Sequence, residues 1–229
     1  MLNRQELMNR LFAERVDAAE RFEGYPYVTI SRQAGAGGKT LAQALLLKIE
    51  LKSYADPYRG WKIFDREIAD LLHEDKELAR STGSLLGEEY HSEVEEFFKG
   101  LLGGPSDQYR LEKTTFDLVR TLASIGKVIL VGRAGASVTA KLPGGIRVRL
   151  VAPIDWRVRN MMSLMSINEH EAEALAKQQD HGRARLARDF FDHDVDDPGL
   201  YDVVIDTSET PIEDAASRVY DLVVAASSG

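Results

Sequence analysis

Cysteine is absent from the 229 residues, so disulfides and thiolate chemistry are excluded; a reducing compartment is compatible with this. Also missing is any apolar run near the ~20 residues of a membrane span, and the first residues lack the apolar core of a secretory signal. A membrane partner is not expected, and the cytoplasm is the expected location. Positive charge is in deficit: 29 Lys and Arg against 37 Asp and Glu give a formal net charge of -8. That balance argues against a nucleic-acid partner while leaving room for a local basic pocket. The histidines show no H-E-x-x-H or similar ligand spacing, and no serine sits in a nucleophile elbow, so hydrolase chemistry lacks support. The acidic stretch Asp192-His-Asp-Val-Asp-Asp197 lacks the spaced ligands of a calcium loop and reads as a solvated turn. No internal repeat or low-complexity linker is present.

What remains is ordinary for a globular protein: 44% hydrophobic and 29% charged residues, enough for one well-cored α/β domain. Residues 1–24 form an N-terminal extension. Within it Asn3 to Phe22 reads as a helix, with Leu7, Met8, Leu11, Phe12, Val16, Ala19 and Phe22 on one stripe. It packs on the domain or on a second copy of the chain, which makes it the candidate contact of a homodimer. The main domain, 25–229, alternates strands with helices. Strands are expected at Tyr27–Ser31, Trp61–Phe64, Lys127–Val131, Ile146–Val151 and Tyr201–Asp206. Helices are expected from Thr40, from Asp65 to Arg80, from Gln108 to Ile125, from Asp155, and from Ile212 to Ala226. Ser166 with Glu169 reads as a capping box opening a long helix to Phe191, with Gly182 as a loosening point. The stripe Tyr90 to Leu102 belongs to a helical excursion over 83–107. This alternation predicts an α/β fold whose parallel sheet is covered on both faces. Ligands of such sheets bind beyond the carboxyl ends of the strands, where Arg32, Asp65, Arg133 and Asp206 fall.

The first strand runs into a glycine-dense turn, Gln33-Ala-Gly-Ala-Gly-Gly-Lys-Thr40, and then a helix. Gly35, Ala36, Gly37 and Gly38 allow consecutive N–H groups to face one concavity, and the helix aims its positive end there. Lys39 adds a cation and Thr40 a hydroxyl suited to Mg²⁺ or a phosphate oxygen. The pattern G-x-x-x-x-G-K-S/T is incomplete, because Gln33 stands in place of its first glycine. In one alignment Lys39 is the motif lysine; in another Gly38 takes that place and Lys39 is one residue late. Downstream, Asp180-His-Gly-Arg-Ala-Arg-Leu-Ala-Arg188 sets Arg185 and Arg188 on one helix face and Asp180 and Arg183 on another. Guanidinium forks of this kind suit phosphoryl transfer.

The motifs Ile30-Ser-Arg-Gln-Ala-Gly-Ala-Gly-Gly38, Phe64-Asp-Arg-Glu67, Val131-Gly-Arg133, Asp180-x-x-Arg183 and Asp197-Pro-x-x-Tyr-Asp-x-x-Ile-Asp-Thr-Ser208 resemble the cytidylate kinase-like proteins of the nucleoside monophosphate kinase group. The likeness runs from about residue 27 to 227, in the branch where glycine-glycine replaces glycine-lysine. It implies a P-loop NTPase three-layer sandwich with a five-stranded parallel sheet, the excursion as monophosphate-binding segment, and a lid at about 155–195. It also implies ATP-dependent phosphorylation of CMP or dCMP. By the resemblance, Gly35 to Thr40 hold the ATP phosphates, and Asp65 and Arg133 contact the acceptor; the residues themselves add Arg32, Asp180 and Arg185 as candidate acceptor contacts and Thr40 as the candidate Mg²⁺ ligand. Lys39, Arg157, Arg183 and Arg188 act on the transferring phosphoryl group. Ala134 departs from the family, whose true cytidylate kinases carry an acid there. A nucleotide-binding regulatory protein with a degenerate loop, or a kinase for another metabolite, remains the alternative reading.

Overall fold

The computed structural model describes residues 24–51, 58–65 and 107–227. The N-terminal stripe, the helix expected after Asp65 and the excursion up to residue 106 lie outside the described residues. Five parallel strands form one sheet: β1 (Tyr27–Arg32), β2 (Lys62–Phe64), β3 (Val128–Val131), β4 (Gly145–Val151) and β5 (Val203–Asp206), in the order β2-β3-β1-β4-β5. β1 is central, with Ile30 level with Val131 on one side and Val148 on the other. The carboxyl ends of β1, β3 and β4 therefore open onto the same edge.

Helices cover both faces. α1 (Gly38–Glu50) buries Leu41, Ala42, Leu45 and Ile49 at intervals of one turn, and α6 (Ile212–Ser227) does the same with Ala215, Ala216, Val219 and Val223. These two helices pack on Val28, Ile30, Ile129, Val131, Val148, Leu150 and Ile205. Each fully buried aliphatic side chain there contributes about 1.5–3 kcal/mol. On the other face, α2 (Asp107–Ile125), the short α3 (Gly135–Val138) and α5 (Glu169–Phe191) meet Tyr27, Phe64, Val128 and Leu130. There Phe116 contacts Phe190 and Phe191 edge-on, at 5.1 and 5.0 Å between centroids. A third cluster joins α4 (Ile154–Met165) to α5 through Val158, Met161, Ala172 and Ala176, and includes Ala34 of the glycine turn. Through Ala34, the α4–α5 hairpin packs directly against that turn.

Several expectations need correction. The capping box is Asn168 with Glu171, not Ser166 with Glu169: the Asn168 side chain accepts from Glu171 N at 3.0 Å, and Glu171 Oε2 accepts from Asn168 N at 3.1 Å. Ser166 instead closes α4 in a left-handed conformation, φ 55°, so it is spent on the preceding helix. Gly182 does not interrupt α5, which runs unbroken over 23 residues. Lys127 lies before β3 with φ 53°, in a reversal that it shares with Gly126. The last strand begins at Val203 rather than Tyr201, and a 3₁₀ turn (Pro198–Leu200) precedes it, opened by the Asp197 carboxylate accepting from Gly199 N. α3 was not foreseen; four residues give no readable period.

Candidate active site

Where β1 ends, Gln33 ties the glycine turn to β4. Its N–H donates to Leu150 O and its Oε1 accepts from Ala152 N, both at 3.0 Å. The residue that breaks the sequence motif thus anchors the turn. At Gly35 the backbone has φ +81° and lies so close to α4 that a Cβ would stand 2.5 Å from the Arg157 carbonyl oxygen. Asn160 Nδ2 donates to Gly35 O from the same helix. Gly37 caps α1 with φ 83° and offers no side chain to the helix end. Among the described residues, no acceptor meets the N–H groups of Gly37, Gly38, Lys39 or Thr40. Lys39 and Thr40 are exposed beside them. Unpaired amides at a helix start, a positive dipole end and a lysine form a concavity for an anion.

Asp180 links this turn to α5. Its Oδ1 accepts from Ala34 N at 2.7 Å and from Arg183 Nη1 at 3.2 Å, while its Oδ2 accepts from Arg157 Nη1 at 2.8 Å. Arg157 is 7% exposed, and it donates as well to Ala152 O and Ala34 O. The structure therefore places Asp180 and Arg157 beneath the glycine turn as braces. Arg183 also donates to Arg32 O and to Gln179 Oε1.

Beyond the strand ends lies a cavity of about 460 Å³. Arg32, Asp65, Arg133 and Arg183, all foreseen in the sequence, line it together with Ser31, Glu112, Ala134, Arg149 and Tyr201. The guanidinium of Arg32 lies on Gly132, where a Cβ would collide with Nη1. Asp65 approaches Arg32 at 3.8 Å. Burial lowers the Arg32 pKa to about 10, and the neighbouring Arg183 and Arg133 push the same way against Asp65. Burial likewise lowers that of Arg183, with Asp180 opposing and Arg149 adding to the fall. After Gly132, both Arg133 and Ala134 take positive φ, 54° and 51°, a conformation costing roughly 1 kcal/mol or more per non-glycine residue. Such spending on backbone and on clustered cations is characteristic of a binding site.

Arg185 and Arg188 are elsewhere. Both are exposed on α5; Arg185 pairs with Asp189 at 3.0 Å, and neither lines the cavity. Asp206 is occupied locally, accepting from Ser208 N and Oγ at 2.8 and 2.6 Å. Sequence reasoning missed Arg149, Glu112 and Tyr201. For Arg149 a signal existed: Arg147 and Arg149 alternate within an otherwise apolar strand, which places both on one face.

Residues 27–209, from β1 to just past β5, match the cytidylate kinase-like family. The chain belongs to that family. A cytidylate kinase from Methanopyrus kandleri is 28% identical over 189 residues, covering 79% of this chain and 84% of the relative. The crystal structure of an uncharacterized protein from Eubacterium ventriosum shares the fold, with a TM-score of 0.67, 17% identity and coverage of 88% and 99% of the two chains. A shikimate kinase from Bacteroides thetaiotaomicron aligns at a TM-score of 0.46 and 15% identity over 87% and 98%. Membership in the cytidylate kinase-like family makes phosphoryl transfer to a small molecule the activity class of this chain.

Proposed function

We propose that the chain transfers the γ-phosphoryl group of ATP to a nucleoside monophosphate, with CMP or dCMP as the leading acceptors. The observation that carries this reading is the adjacency of two anion-seeking features: the glycine turn with its unpaired amides, and the arginine-lined cavity beside it. The residues present fit Mg-ATP. Gly35 to Thr40 would hold the polyphosphate, Lys39 would lie against its charge, and the Thr40 hydroxyl would hold Mg²⁺. The ion, when bound, offsets charge on the phosphate oxygens.

Arg32, Arg133 and Arg183 would take the acceptor phosphate, while Asp65 and Glu112 accept from hydroxyl or amino groups of the nucleoside. Glu112 Oε2 is buried and meets no donor among the described residues. An oxygen of the acceptor phosphate attacks the γ-phosphorus as the bond to the bridging oxygen breaks, releasing ADP. No side chain is needed as nucleophile, because positioning and charge offset do the catalysis. Asp180 and Arg157 position the turn, so movement of the α4–α5 hairpin would reach it directly. One observation favours a different small phosphorylated acceptor: Ala134 lines the cavity with a methyl group in place of an acid.

The test is ADP release from Mg-ATP with CMP, dCMP, UMP and AMP offered in turn. Turnover with a cytidine acceptor is expected. Binding of ATP with silence on all four would move the assignment to another acceptor or to a regulatory role.

A further inference from the structure

Arg149 is the most buried cation of the cavity, 5% exposed, yet its guanidinium is only partly used. Nη2 donates to Asp196 Oδ1 at 2.8 Å, while the buried Nε meets no acceptor among the described residues. The Tyr201 ring lies 5.8 Å from its Cζ and limits its freedom, and Tyr201 is itself held by its hydroxyl donating to Val195 O at 2.9 Å. Asp196 is different in kind: its side chain is 70% exposed, on the acidic turn between α5 and β5. A buried guanidinium thus lines the cavity with Nη1 uncommitted among the described residues, and a solvent-side carboxylate touches its neighbour Nη2.

We propose that Arg149 binds an anionic group of the acceptor, and that Asp196 is the internal stand-in which that group displaces. This rests on the kinase reading for the identity of the acceptor, but its anion chemistry stands on the cavity alone. A tetrahedral anion can engage Nη1 and Nη2 end-on through two oxygens, whereas Asp196 makes one contact. With its carboxylate 70% exposed, the pair stays partly solvated and contributes about 1 kcal/mol, so it yields readily to a doubly charged ligand. The neighbouring cations supply the remaining drive, because Arg183 stands against both Arg149 and Arg32 until an anion arrives. The acidic turn is therefore a competitor of the acceptor and sets its affinity.

The proposal predicts an unusual sign. Asp196→Asn removes the competitor's charge and should tighten binding of inorganic phosphate and of CMP in calorimetry by about two- to fivefold, the range of a pair with a solvent-side partner. Arg149→Gln should weaken both by about tenfold or more. Because the glycine turn also takes phosphate, a double-variant cycle assigns the effect: the gain from Asp196→Asn should vanish in the Arg149→Gln background. Asp196 is exposed, so its substitution leaves folding intact; if Arg149→Gln fails to fold, Arg149→Lys replaces it in the cycle. In turnover, Asp196→Asn should lower KM for the acceptor and leave KM for ATP unchanged. Unchanged or weaker binding by Asp196→Asn, or a gain that persists without Arg149, overturns the proposal. Tighter phosphate binding without any CMP turnover would overturn the nucleotide assignment alone.

Discussion

Toward α1 and α6 the sheet presents aliphatic side chains, Val28, Ile30, Ile129, Val131, Val148, Leu150 and Ile205, whereas its opposite face interleaves Tyr27, Thr29, Ser31, Arg147 and Arg149 with Val128 and Leu130. The same strands build both, since alternate residues point to opposite faces. The first face is a conventional core whose members are interchangeable within volume. The second gives up apolar area to bury cations, and buried charge is costly unless something pairs with it. Along β4, residue parity thus separates stability from function, while on β1 Arg32 shares the parity of Ile30 and reaches the cavity from the strand's end.

That separation can be broken most forcefully on the aliphatic side. Leu45→Ala, at a fully buried site of α1, should cost about 2–5 kcal/mol in urea unfolding while leaving turnover per folded molecule near wild type. A comparable loss of turnover would mean that the two faces are coupled. Next in size, Lys39→Ala should lower ADP release by about two orders of magnitude with unfolding unchanged. An unchanged rate would place Lys39 outside the reaction and put Gly38 in the motif lysine's position.

A smaller effect is expected where the polar face serves structure. Arg147 grips Asp202 through Nε and Nη2, at 3.1 and 3.0 Å, joining β4 to the start of β5. Burial would raise the Asp202 pKa, but hydrogen bonds and charge from Arg147 overcome this and hold it below the ordinary range. A carboxyl depressed in the folded state stabilises above its unfolded value, about pH 4, and loses that contribution as pH falls through the folded one. Asp202→Asn should therefore cost up to about 1 kcal/mol at pH 7, and the difference from wild type should fade in strong acid. Smallest of all, Arg185→Ala should change stability by less than about 0.5 kcal/mol and leave turnover unaltered, as befits an exposed pair. A large drop in turnover would return Arg185 to the site.

Much of the fold was legible because periodicity is local. The apolar run Val128–Val131 and the one-turn spacing of Leu41, Leu45 and Ile49 declare a buried strand and a one-sided helix from the sequence alone. The capping box was misplaced by two residues because Ser166-x-x-Glu169 and Asn168-x-x-Glu171 both fit the pattern. Which one caps depends on the left-handed turn at Ser166.

The site was legible where a residue's direction follows from its position at a strand end, as for Arg32, Asp65 and Arg133. Elsewhere direction is a property of the packed molecule. Arg183 and Arg185 are two residues apart, about 200° around the helix, so docking α5 on Ala34 turns one into the cavity and the other into solvent. The sequence by itself determined the parallel sheet, its covering on both faces and the glycine turn, because each is written in short-range pattern. Only the tertiary structure decided that Arg149 faces the cavity and that Asp180 and Arg157 brace the turn. Strand register and helix phase are fixed by contacts between residues more than a hundred positions apart, such as Ala34 with Asp180.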